Sequence, residues 1–454
     1  MHPILAVAET VQRKKLECRY YSAEDKPSKA VPKALPSVAS PLIQSSLLLS
    51  STLSGVLASE PKSTESVLYL QILRIIRAAG RYVDDVTARY FRGVHRFILV
   101  ISSPRFHDQL LNSETPPPTS FSVLLLSMCL ITHRRDLTPA DTSTIDQSVL
   151  YLATKTLFAQ VQASSPPSLH LIQAGMIIAS YEYANENIQD SFANIAVCAR
   201  MGYAIGLDKA RPIHDKDQSI YQKEEEANTW WGVLIMERTI LCELPGFTTP
   251  LSTTMPSADT PLPSDPALSD IEINIAPVND AGGFACVAQG VSLLDQVISA
   301  FEIPNPDAKL NRLNGLHHAL RTVLGTVLDA GHPMGAFCTA SSILIRTMYL
   351  IHWHILKQVS QMTTFKHKSR EEWNRNSRAA LVTATKMVED IAESQNSYAL
   401  HMIDGLPPSC KYLLRTALEY IDSLDGGRDG ETEASREQIR TSLNKFEYRW
   451  GTCL

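Results

Sequence analysis

A chain of 454 residues with 44% apolar and 20% charged side chains holds enough hydrophobic material for a large core, which excludes a wholly disordered or fibrous protein. Its net charge of −5 excludes a broadly basic nucleic-acid surface, so any DNA contact must be local or borrowed from a partner. The eight cysteines, at positions 18, 129, 198, 242, 286, 338, 410 and 453, are scattered without close pairs, as reduced thiols of an intracellular protein would be.

Residues 1–62 read as a disordered arm and linker rich in Pro, Ser and basic side chains. Arg13, Lys14, Lys15 and Arg19 are its candidates for nuclear import or phosphate contact, with import the simpler reading of so short a basic tract. No sustained apolar run sits beside a cleavage site here, so no secretory leader is expected.

From about residue 65 the apolar spacing is helical, first through Val67 to Ile76 and then, more mixed, over 84–100. Pro104 and the run Pro116 to Pro118 punctuate the pattern. The segment 121–133 is apolar almost all round and belongs deep in a bundle. With Arg346 inside the other greasy stretch, 343–356, neither segment reads as a membrane span, and no membrane partner is expected. Ser143 and Asp146 open a helix lined by Val149, Leu150, Leu157 and Val161. Further helices follow over 168–183 and 191–207, the latter with small residues Ala196, Ala199, Gly202 and Gly206 that allow a neighbour to approach closely.

The segment 219–246 has the plainest ends. Ser219 and Gln222 have capping-box spacing, Glu224 to Glu226 place negative charge in the first turns, and Pro245 with Gly246 stops the helix. At about 100° per residue, Ala227, Trp230, Trp231, Leu234, Ile235, Leu241 and Cys242 share one sector, which predicts burial. Arg238 falls in that sector too, so its guanidinium requires a partner. Residues 248–281 form a long Pro/Ser/Thr/Asp-rich loop expected to clamp the surface, with Asp259 or Asp265 reaching Arg238. Helices resume over 284–301, 313–328, 336–358, 371–394 and 398–423. A polar tail, 425–454, ends in a short helix over 439–450.

The pieces around the Trp pair resemble the middle homology region, the fungal-specific transcription factor domain, of fungal zinc-cluster transcription factors. Those pieces are Glu224 to Glu226, Trp230 and Trp231, Glu237 and Arg238, Gly246, and Pro261-Leu262-Pro263 with Asp265. The run Ala199 to Leu207 is similar to the segment that precedes the paired Trp in that family, and the likeness is strongest over 168–266. It implies an all-α multi-helix bundle regulatory domain over 63–424, with Trp230, Trp231 and Arg238 in its core. It further implies a nuclear transcriptional regulator, often of metabolic or secondary-metabolism gene sets, responsive to small-molecule effectors and to partner factors or the transcription machinery.

Lys15 to Tyr20 resembles the closing end of a zinc cluster, but Cys18 is the only cysteine before Cys129, so the family's two zinc ions, which share six thiolates, have no ligand set. Either the module has been lost or the sequence begins after it, and DNA would be reached through a partner or that missing N-terminal module. No other cofactor is implied.

No catalytic constellation stands out. His352 and His354 point about 200° apart on a helix and cannot share a metal, and His317 and His318 fail similarly. Asp84 and Asp85 lack the third acid of an Asp-Asp-x-x-Asp magnesium motif, because Ala88 stands in its place. No phosphate loop or dinucleotide turn is present. The chain is therefore read as a regulator and not an enzyme, with a helical protein-binding scaffold as the alternative.

Overall fold

Every residue from Ser120 to Thr132 is buried, as an all-round apolar helix requires, and the bundle is assembled outward from this segment. The structure, a computed structural model, describes residues 41–57, 63–111, 115–134, 145–209, 220–247, 249–257, 260–264, 282–329, 336–361, 367–424 and 430–451. Among the described residues all regular elements are helical and none is a strand. In chain order these are α1 Pro41–Leu57, α2 Thr64–Ala78, α3 Val83–Arg92, α4 Ser103–Leu111, α5 Thr119–Thr132, α6 Gln147–Ser164, α7 Leu169–Ala184 and α8 Ile188–Ile205. There follow α9 Ile220–Leu241, α10 Gly283–Phe301, α11 Pro306–Asp329, α12 Ala336–Gln361, α13 His367–Asn396, α14 Ser409–Ser423 and α15 Gly430–Trp450.

The first half gathers α2, α3, α6 and α7 around α5, and α8 lies along α7. The hydroxyls that α5 buries lose nothing, because Ser127 and Thr132 donate to the Val123 and Met128 carbonyls at 2.9 and 2.7 Å. In the second half, α12 packs against α10, α11, α13 and α14. Helix α9 touches α7, α8 and α10 and so bridges the halves. The last helix returns to the first half, where Arg449 Nη2 donates to the Ile131 carbonyl at 2.8 Å. The chain thus closes on itself, unlike the open stacked array of a solenoid.

Several boundaries differ from the sequence expectation. The arm expected over 1–62 holds a helix, α1, that packs on α6 and α2 and buries Leu48. Its Ser content hid an apolar cluster, Leu42, Ile43 and Leu47 to Leu49, and Pro41 sits in the first turn, where a missing N–H costs nothing. The tail expected over 425–454 is mostly α15, a 21-residue helix lying on α13 and α14, with Ile439, Phe446 and Trp450 fully buried at helical spacing. Pro104 starts α4 rather than interrupting a helix. The helix expected over 398–423 is a 3-10 turn, Leu400–Gly405, followed by α14, because Pro407 and Pro408 deny the helix two backbone donors. Asp146 caps α6 directly, accepting from the Gln147 N–H at 2.7 Å, while Ser143 and Ser219 lie outside the described residues.

Helix α10 alone among the described helices is long and apolar enough to cross a bilayer. It buries Val287, Val291 and Leu294 and packs on α9, α11 and α12, as a core helix does.

Candidate functional site

Helix α9 is enclosed on nearly all sides from Asn228 to Leu241, more completely than a one-sector stripe requires, while Ala227, expected inside, is exposed. Trp230 reaches α8 where Gly202 leaves room: a Cβ built there would lie 2.8 Å from the indole Cζ3. Tyr203 meets the same indole edge-on at 5.0 Å between centroids.

The outer side of α9 is covered by the segment after it, which runs back as a strap. Trp231 Nε1 donates to the Pro261 carbonyl at 3.1 Å. Asn228 exchanges two hydrogen bonds with the Ser264 backbone, donating to its carbonyl at 3.0 Å and accepting from its N–H at 3.3 Å. Glu237 accepts from the Ser252 and Thr253 N–H groups at 2.5 and 3.2 Å. The clamp is thus bound to α9 by side chains one to two helical turns apart.

Arg238 lies at the centre of this lacing and is 1% exposed. Its Nε donates to Asp295 Oδ1 of α10 at 3.1 Å, Nη1 to Glu237 Oε2 at 2.8 Å and to the Thr253 hydroxyl, and Nη2 to the Thr253 carbonyl at 2.8 Å. Such complete pairing is what allows a guanidinium and a carboxylate to remain buried together. The two acids expected as its partners, Asp259 and Asp265, lie outside the described residues.

One turn further along, the segment that follows α9 roofs a small cavity, with room for about one water, between α7, α10, α12 and α14. Tyr183 and Tyr412 stack on its wall, centroids 4.4 Å apart, and the Tyr412 hydroxyl donates to the Tyr183 carbonyl at 2.6 Å. Arg346 of α12 crosses it, with Nη2 donating to Glu243 Oε2 at 3.0 Å and Nη1 to the Thr416 hydroxyl. Burial raises the Glu243 carboxyl above its ordinary value against the pull of Arg346, and burial pushes the Cys242 thiol up to about 12. The Cys242 thiol turns inward to the Arg238 carbonyl, 3.4 Å away, so cavity and strap share one stretch of helix.

Of the residues singled out from sequence, Trp230, Trp231 and Arg238 come together on α9, whereas Arg13, Lys14, Lys15 and Arg19 lie outside the described residues. The sequence reading missed Glu237 as the partner of its own neighbour, and it missed Asp295 and the Glu243–Arg346 pair. A signal existed for the last, since an arginine inside the apolar run 343–356 needs a counter-charge. His317 and His352, from different helices, meet at 3.0 Å, a pair that spacing within one helix could not show. Burial lowers them to about 4 and about 3. Among the described residues no group of three His, Cys, Asp or Glu converges, and the six described cysteines are free thiols.

The described residues thus form an all-helical bundle whose Trp-bearing helix is strapped by a Pro-rich segment. The fungal-specific transcription factor domain matches the chain over residues 87–381, well over half of its length. The chain is also similar to "Transcription factor BOA15" of Botryotinia fuckeliana, with 27% identity over 137 residues, which is 30% of this chain and 69% of that protein. This chain belongs to the fungal-specific transcription factor domain family, a family of transcription regulators and not of enzymes.

Proposed function

We propose that the protein is a nuclear regulator of a metabolic or secondary-metabolite gene set, working through a helical body that responds to a small effector and reaching DNA through a partner factor or through a further N-terminal module. The single observation that carries this reading is the extent of the family match, which spans α3 to the middle of α13. The arrangement of α9 supports a response to an effector, because its last two turns hold the strap through Glu237 and Arg238, and the turn just after it lines the small cavity through Cys242 and Glu243. A ligand that biases the cavity would act within one turn of the strap's anchor. Arg13, Lys14, Lys15 and Arg19 are assigned to nuclear import, and no zinc ion is assigned, given a single cysteine before Cys129.

The test is deletion of the gene with transcript profiling, alongside a fluorescent fusion of the full chain. A coordinated change in a gene set and nuclear fluorescence are expected. An unchanged transcript profile with cytoplasmic fluorescence would overturn the reading.

A further inference from the structure

We propose that the outer face of α9 is a docking site for an extended, proline-rich peptide of a protein partner, of the pattern Pro-x-Pro followed by a basic residue, and that strap residues 261–264 occupy it in cis. Trp231 Nε1 donates to the Pro261 carbonyl at 3.1 Å, and Asn228, one turn away, donates to the Ser264 carbonyl at 3.0 Å and accepts from its N–H at 3.3 Å. Aromatic surfaces hold proline-rich peptides well because the polyproline II conformation is formed in advance and costs little entropy to bind. The strap is built for that conformation. Pro261 and Pro263 have φ fixed near about −65°, and each restricts the residue before it, Thr260 and Leu262, to extended backbone. Pro263 is buried, while Leu262 faces solvent.

All three of these hydrogen bonds end on backbone atoms of the strap, so α9 grips a conformation here and not one sequence. The firmer anchor lies elsewhere, at Thr253, where Glu237 and Arg238 hold both backbone and hydroxyl. Trp231 and Arg238 stand about 10 Å apart along the axis of α9, whereas a chain of the length from Thr253 to Pro261 reaches about 26 Å when extended. That slack lets residues 261–264 leave without unseating Thr253. Charge decides what takes their place. The Ser264 hydroxyl donates to Glu224, and Lys223, the only basic residue in the stretch 220–231, is already engaged. The strap therefore meets the Glu224 carboxylate with a neutral hydroxyl, and its next residue in sequence, Asp265, is another acid. An arginine or lysine in the place of Ser264 supplies the counter-charge that the strap lacks.

The proposal deepens the partner-factor reading, but it is tested on purified components, whereas that reading is tested by transcripts and localisation, so each can fail alone. A nitroxide-labelled peptide copying residues 256–267 is titrated into the full chain carrying 5-fluorotryptophan, and broadening of the Trp231 fluorine signal, assigned with Trp231→Phe, reports occupancy. A tethered strap competes at an effective concentration on the order of 1 mM, so this copy should half-saturate the site in that range. The same peptide with Ser264→Arg should bind about 3- to 10-fold tighter, an advantage that about 1 M salt removes. With Pro261→Ala and Pro263→Ala together the peptide should bind about 5-fold more weakly. Competition also has a signature opposite to ordinary damage. Ser264→Pro in the chain's own strap removes the N–H that Asn228 accepts and the hydroxyl on Glu224, and should strengthen peptide binding about 5-fold. Pro261→Ala in the chain should act in the same direction by about 3-fold, and it decides the matter if Ser264→Pro fails to fold. The proposal is overturned if the arginine peptide gives no saturable broadening up to about 5 mM, if it binds no tighter than the copy, if the alanine peptide equals the copy, or if the folded strap variants bind peptide no better than wild type.

Discussion

Arg238 of α9 and Asp295 of α10 meet at 3.1 Å, and this contact ties the Trp-bearing helix to the second half of the bundle. The same guanidinium holds Glu237 and Thr253, so one side chain joins both halves to the strap. Arg238→Ala would leave Glu237, itself fully buried, without its counter-charge, and should cost about 3–5 kcal/mol in chemical denaturation. Asp295→Asn should cost about 1 kcal/mol, because that carboxylate is 23% exposed and partly screened. Equal midpoints for wild type and Arg238→Ala would show that the network contributes nothing to stability.

Two glycines on helices should respond in opposite directions to alanine. At Gly202 the new Cβ would press on Trp230 at 2.8 Å, and overpacking of this kind costs about 1–3 kcal/mol. At Gly315, exposed on α11 with nothing within 4 Å, alanine should stabilise by about 0.5–1 kcal/mol through helix propensity alone. Thermal melts of the two variants read the contrast, and a Gly202→Ala protein as stable as wild type would mean that α8 and α9 are less closely packed than described.

These contrasts show which parts of the architecture the residues announce. Helix α5 and the indoles of α9 were accessible from periodicity because a fully apolar run or a Trp pair can be placed in few ways. Arg238 could be recognised as buried, since a cation within an apolar sector must be met, but its partner could not be named. Asp295 lies 57 positions away, and nothing in local spacing links the two. Helices α1 and α15 were undervalued for the opposite reason. Their Ser-rich and charged composition is that of linkers, and their few large side chains gain meaning only against the surfaces that receive them.

The C-terminal helix tests that last point. Trp450 is fully buried, and the Arg449 guanidinium lies 3.8 Å over its ring while also binding Asp404 and the Ile131 carbonyl. Trp450→Ala should cost about 3–5 kcal/mol. Cutting the chain at residue 424 should expose the faces of α13 and α14 and yield a protein that aggregates or binds a hydrophobic dye. A truncated chain with wild-type stability would return this segment to the role of a tail.

Two carboxylates should shape the pH dependence in opposite senses. Glu186 adopts φ 64°, a left-handed conformation costly for a non-glycine residue, and is held there facing Lys411 and Arg415 at 2.5 and 2.9 Å. The hydrogen bond from Arg415, with Lys411 behind it, lowers its pKa from 4.5 to about 2. The unfolded chain therefore takes up this proton first, and the stabilisation, complete above about pH 4.5, is lost as the pH falls toward 2. Glu243 behaves conversely. Burial raises its pKa, so above 4.5 the folded chain keeps a proton that the unfolded chain has released, and stability declines as pH rises through that window. Urea midpoints measured from pH 3 to 8 should accordingly lose part of their acid slope in Glu186→Gln and part of their slope above pH 4.5 in Glu243→Gln. Profiles for both variants parallel to wild type would show that neither group titrates differently on folding.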